Sequence, residues 1–346
     1  MKNKCEWDPN FIRKQMLYLE GKKDDENLSY DDRERIAASI ATYQYLLRLY
    51  NNELSFNNQG EMPNMQYAPS LIMQLFIDNM YDVEPFTAGD KYQHHLDYLS
   101  SLEEKPVTPL TINQKTETDI VNNVKTFWEH LSPTMTTEIN KLEKLNPHCY
   151  QFDQKVNYAG HCFFDYYQRL PFLLIKKTNT LQDELALTHE LTHALEFINC
   201  DYRGQALGCE VYPYLLAKLQ HDYYQREGIE TEDAKNLTHK LHNYALTDLK
   251  ICSLQLKALK FVETNTEATF NDLATVFPEM DADELVKTLL IKSSHVFKNA
   301  ISYAIALKLQ EAYQDDEPTL INKLEQALTD KDYNFIEDHK KILVKN

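Results

Sequence analysis

Glycine is nearly missing from this chain: there are 7 in 346 residues, where ordinary usage of ~7% would supply about 24. Glycine serves tight turns, bulges and phosphate-cradling loops, so its scarcity points to long helices and few hairpins. No GxGxxG and no GxxxxGK[ST] occurs, which excludes the glycine-fingerprint nucleotide and dinucleotide folds. Basic charge is also short, with 36 Lys+Arg against 53 Asp+Glu and a formal charge of −17. A broad nucleic-acid or anionic-membrane surface rests on Lys/Arg clusters, so neither partner is expected. Long apolar runs are absent too. Leu71 to Ile77 and Leu170 to Ile175 are among the longest, far below a bilayer span. The six cysteines, at 5, 149, 162, 200, 209 and 252, form no CxxC, and the N-terminus lacks the apolar core of a signal peptide. Reduced thiols in a cytoplasmic protein are expected.

What is present is mostly helical. Ile36, Ile40, Tyr43, Leu47 and Tyr50 recur at helical spacing behind the acidic turn Asp31, Asp32 and Glu34. Helices are expected over 116–130 and 133–145, and again over 180–199, 210–227, 232–262, 283–292, 294–314 and 318–329. Pro106 and Pro109, in the stretch SLEEKPVTPLT, suggest a boundary between a helical region over 1–105 and the remainder, 106–346. Only about 150–178 reads as strands: Tyr158, Phe163, Phe164, Tyr166, Tyr167, Phe172 and Ile175 make it aromatic and β-branched. The histidine pairs His94/His95 and His239/His242 are expected on solvated surfaces.

The sharpest motif is His189-Glu190-Leu191-Thr192-His193, an HExxH. Residues four apart on a helix share a face, so both imidazoles can reach one ion. The glutamate, rotated by ~100°, can touch water at that ion without ligating it. Thr180, with Asp183 three residues on, predicts the helix start. A catalytic zinc needs a third protein ligand and an open position. Asn199 stands where metzincin spacing requires a histidine, which excludes that variant. Glu210, opening the next apolar helix after Gly204 and Gly208, is the main candidate, with Glu196 and Asp201 as rivals.

The stretch Leu170 to Phe197, LPFLLIKKTNTLQDELALTHELTHALEF, resembles the signature region of the thimet oligopeptidase and oligoendopeptidase F family of zinc metallopeptidases. That family sets an edge strand, a short turn and a "TLaHElGHAlH" helix in this order. Tyr158 to Cys162 resembles its "GAYC" element, Glu210-Val211 its "EV-x-S" start, and the segment from Ser294 to Ala304 its His-and-Tyr element. The chain departs from the pattern at Thr192 (glycine in the family), Glu196 (histidine), Pro213 (serine) and Ala217 (an acid), and it is shorter than typical members.

The resemblance implies a mostly α, zincin-like (gluzincin) fold with a small sheet beside the HExxH helix and a cleft between helical lobes. It implies one Zn2+ per chain on His189, His193 and Glu210, with Glu190 as general base. Tyr303, aided by His295, would donate to the oxyanion. The edge strand, with Phe172, Leu173, Leu174 and Ile175, would pair with short unfolded peptide substrates. Internal cleavage of oligopeptides is the expected activity. Alternatives are a carboxypeptidase or aminopeptidase on the same core, with Arg169 or Arg203 as a carboxylate anchor, and an inactive zinc-binding scaffold. The sequence leaves oligomeric state open.

Overall fold

A computed structural model describes residues 7–25, 27–51, 69–81, 92–156, 158–199, 208–265, 268–291 and 293–329. Helices dominate, as the shortage of glycine requires. In chain order they are α1 (Pro9–Lys22), α2 (Tyr30–Tyr50), α3 (Pro69–Tyr81), α4 (Gln93–Ser100), α5 (Glu117–Leu131) and α6 (Pro133–Leu145). Three strands follow: β1 (Tyr150–Asp153), β2 (Gly160–Asp165) and β3 (Leu170–Lys176). The rest is helical again: α7 (Gln182–Asn199), α8 (Gly208–Arg226), α9 (Thr231–Thr264), α10 (Phe270–Ala274), α11 (Ala282–Leu290), α12 (Ser293–Ala312) and α13 (Glu317–Thr329). No helix among the described residues is long and apolar enough to cross a membrane.

Local chemistry accounts for several boundaries. Thr116 and Asp119 form a reciprocal capping box at the start of α5. Ser132 caps α6 by accepting from the Met135 amide, and Pro133, at the first helical position, lacks only an N–H that has no helical partner. At α7 the expected cap takes another form. The Thr180 hydroxyl accepts from the Gln182 amide, while the Asp183 carboxylate turns back to accept from the amides of Thr178 and Asn179. The turn between β3 and α7 is thereby tied to the helix it precedes.

The chain forms two compact units, each assembled from separate stretches. The first takes Met1–Asn58, Pro109–Lys235 and Leu309–Asn346; the second takes Gln59–Thr108 and Asn236–Lys308. One crossing, at Thr108 and Pro109, falls in the proline-marked stretch. The first unit holds α1, α2, α5 to α8, α13 and the sheet. In the second, Asn236 and Asn243 on α9 bind the backbone of Thr108 and Lys105. His239 is half-buried, its Nδ1 2.7 Å from the Pro106 carbonyl. His242 and His95 do not lie on solvated surfaces. Each is buried, and His242 Nε2 is 2.9 Å from the Glu103 carbonyl, because the 103–108 stretch lies along α9.

The sheet has the order β1-β3-β2, with β1 parallel and β2 antiparallel to β3. This corrects one expectation. The strand carrying Phe172, Leu173, Leu174 and Ile175 is not an edge; it is central, with a neighbour on each side, and all four residues are buried. Its unbroken apolar run is the signature of a strand covered on both faces. Phe172 packs edge-on against Trp7 and Tyr43 on one face, while α7 lies against β2 and β3.

Candidate active site

Helix α7 is buried almost all round, including its polar residues Asp183, Glu184, Thr188, Glu190, Thr192 and Glu196. A helix buried over most of its surface can carry acids only where each has a partner. His189 and His193, one turn apart, bring their Nε2 atoms to 3.2 Å. Helix α8 lies alongside and supplies Glu210 from its first turn. Its Oε2 is 3.3 Å from His189 Nε2 and 3.5 Å from His193 Nε2. The three donor atoms therefore form a nearly equilateral triangle. A tetrahedral zinc with bonds of about 2.0–2.1 Å places its ligands about 3.3–3.4 Å apart. Two imidazoles and a carboxylate also match the ion's chemistry, so the residues present fit zinc in both identity and spacing.

Between the two rivals for the third ligand, Glu196 has a different place. It is buried on α7, and its Oε2 is 3.3 Å from Nδ1 of His193, the nitrogen turned away from the triangle. A carboxylate there sets the tautomer that leaves Nε2 available as a ligand. Asp201 lies outside the described residues, as does Arg203.

Electrostatics in the triangle are mutual. Burial opposes charge on His193, but the Glu210 carboxylate and then Glu196 outweigh it and hold the imidazole well above its ordinary value. Burial likewise opposes charge on Glu210, yet His193 and His189 hold it well below the usual carboxylate range. Glu190 is pushed up, chiefly by burial, against the pull of His189 and His193.

Glu190 reaches toward the sheet. Its carboxylate accepts from the Cys162 backbone N–H. The pairing of the strands explains why that amide is available. Leu173 turns its N–H to Cys149 on the β1 side, so Phe172 and Leu174 face β2 and bond to their register partners Phe163 and His161. Gly160, Cys162 and Phe164 then present backbone groups on the outer edge of β2. The Phe164 carbonyl accepts there from Thr42. The strand whose outer edge meets the HExxH helix is β2.

Other expected residues have other settings. Tyr303 and His295 are on α12 in the second unit: Tyr303 is buried with its ring 6.1 Å from that of His242, and His295 is exposed beside Asn299. Burial pushes the Tyr303 phenol up. Arg169 spends its guanidinium on the Ile198 carbonyl near the end of α7. Among the described residues, Cys149, Cys162 and Cys252 are not in disulfides. Three neighbours of the triangle escaped sequence reasoning as parts of the site: Gly160, the Cys162 amide, and Tyr214, whose ring stands 5.6 Å from His189. Tyr214 is one turn beyond Glu210, a spacing that could have marked it.

No family model matches the chain, and no curated protein matches it. Among solved structures it is similar to the crystal structure of a protein provisionally named oligoendopeptidase F, from Bacillus anthracis str. Ames, with a TM-score of 0.48 and 14% identity. The match covers 91% of this chain and 63% of that one, so the chain spans less than two thirds of that protein.

Proposed function

We propose that this chain is a zinc-dependent metallopeptidase that cleaves internal bonds of short, unfolded peptides. The observation that carries this reading is the triangle of His189, His193 and Glu210, at ligand spacing, with Glu190 beside it on the same helix. One Zn2+ held by these three residues would supply Lewis acidity to the scissile carbonyl and lower the pKa of water. Glu190 takes a proton from the attacking water and returns it to the leaving amine. Glu210 contributes charge as well as a ligand atom, and Glu196 keeps the His193 ring oriented. Tyr303 and His295 are kept as the proposed oxyanion donors.

The test is cleavage of a mixed library of short and long unstructured peptides, read by mass spectrometry, with metal content measured for wild type and Glu190→Gln. The expected result is internal cuts by wild type that are lost in the variant while zinc stays bound. Trimming from one end would replace this reading with an exopeptidase. Bound zinc with no cleavage would replace it with a zinc-binding scaffold.

A further inference from the structure

The glycine at 160 has no backbone reason to be a glycine. Gly228 is the described glycine with positive φ, whereas Gly160 lies in ordinary extended backbone at the start of β2, a conformation any residue adopts. What surrounds it is the side chain of Glu190. A Cβ at position 160 would stand 2.7 Å from Glu190 Cγ, 2.8 Å from its Oε1 and 3.1 Å from its Cδ. Two residues along the same strand edge, the Cys162 N–H donates to the Glu190 carboxylate.

We propose that Gly160 is a positioning residue for Glu190: the missing side chain makes a seat on the sheet edge, and the Cys162 amide holds the carboxylate in it. The seat has two parts that do different work. The bare Cα at 160 lets the Glu190 chain lie flat against β2. The amide at 162 then fixes the direction in which its carboxylate faces. Because Glu190 follows a ligand histidine on a buried helix, its backbone has little freedom to compensate. A methyl group at 160 must therefore displace the carboxylate itself. This inference rests on the role for Glu190 proposed above, but the contact it describes can be measured without any peptide.

Gly160→Ala is the variant to make, alone and combined with Glu190→Ala. Zinc affinity is read by chelator competition, Tm by calorimetry, and kcat and KM on a cleaved peptide. With Glu190 present, Gly160→Ala is expected to lower Tm by several degrees and kcat by about 10- to 100-fold, the scale of a displacement near 1 Å. KM and zinc affinity should stay within about twofold of wild type. In the Glu190→Ala background the same methyl group should cost no Tm. If Gly160→Ala alone fails to fold, recovery of folding in the double variant supports the seat. A Tm loss of equal size in both backgrounds, or a double variant that still does not fold, overturns it in favour of plain packing of β2. Unchanged kcat in folded, zinc-loaded Gly160→Ala also overturns it. A wild-type chain that cleaves nothing defeats the peptidase reading instead, and leaves the Tm comparison to decide the contact.

Discussion

Two glutamates lie on the same face-to-core helix, and the contrast between them separates structure from chemistry. Glu184, near the start of α7, is 1% exposed and surrounded by side-chain donors: Lys115 at 2.8 Å, Asn123 at 2.9 Å and the Tyr224 hydroxyl. Lys115 also pairs with Glu230, which extends the network to the loop before α9. Glu190, six residues on and 6% exposed, is held by a backbone amide at a sheet edge and faces two imidazoles. Both pay for burial, but Glu184 meets a cation and two neutral donors, whereas the setting of Glu190 leaves its carboxyl raised. A buried acid with its bonds completed by side chains ties elements together. One left with proton affinity beside a ligand cluster is placed to move a proton.

Breaking each side of this contrast should give opposite phenotypes. The largest effect is expected for Glu190→Gln, which should lower kcat by about 10²- to 10⁴-fold, the range for a lost general base. Zinc content by mass spectrometry and Tm by calorimetry should remain near wild type. Glu184→Ala should do the reverse, lowering stability by about 3 kcal/mol because it leaves the buried Tyr224 hydroxyl and the Asn123 amide without their acceptor. Urea unfolding measures that loss, and activity per folded molecule should be retained; a fall in kcat as steep as that of Glu190→Gln would erase the distinction.

A third, half-buried acid tests the same idea away from the ligands. Asp248 on α9 is pushed up to about 6 by burial, with the Asn299 hydrogen bond working against it. The folded chain therefore holds this proton more tightly than the unfolded chain, where the value is ~3.9. Stability should fall as pH rises from about 4 to about 6, and the deficit should persist above that window. Asp248→Asn removes it, so a gain of about 1–3 kcal/mol is expected at pH 7 and none near pH 3, by denaturant titration at each pH. The smallest effect is expected for Glu196→Gln, which keeps a partner for His193 Nδ1 but not the charge. Zinc affinity should weaken by about 10-fold, the low end for loss of an outer carboxylate, as read by chelator competition. An unchanged affinity would mean that Glu196 packs beside His193 without orienting it.

The helices were legible because periodicity and caps are local. The expected 133–145 coincides with α6, and 318–329 differs from α13 by one residue at its start. The two histidines of HExxH were legible for the same reason, since spacing along one helix brings them to a common face. The order of the strands was not. The run Leu170 to Ile175 has the apolar character of a buried strand, yet nothing in it states which neighbours it will have. His242 was misjudged as a surface residue for a related reason: the segment that covers it, 103–108, is remote in sequence and carries no periodic signal.

Residue types and their helical spacing, by themselves, determined an α-rich chain with one strand-forming stretch and two histidines turned to a single point. Those are consequences of hydrogen bonds and side-chain directions that repeat every few residues. Tertiary packing alone decided the rest. It laid α8 along α7 so that Glu210 closes the triangle and Glu196 falls behind His193. It also set β3 between two partners, which leaves the outer edge of β2 as the strand that meets Glu190. Each of these depends on which surfaces bury against each other across long stretches of chain, and that free energy belongs to pairs of elements rather than to either sequence alone.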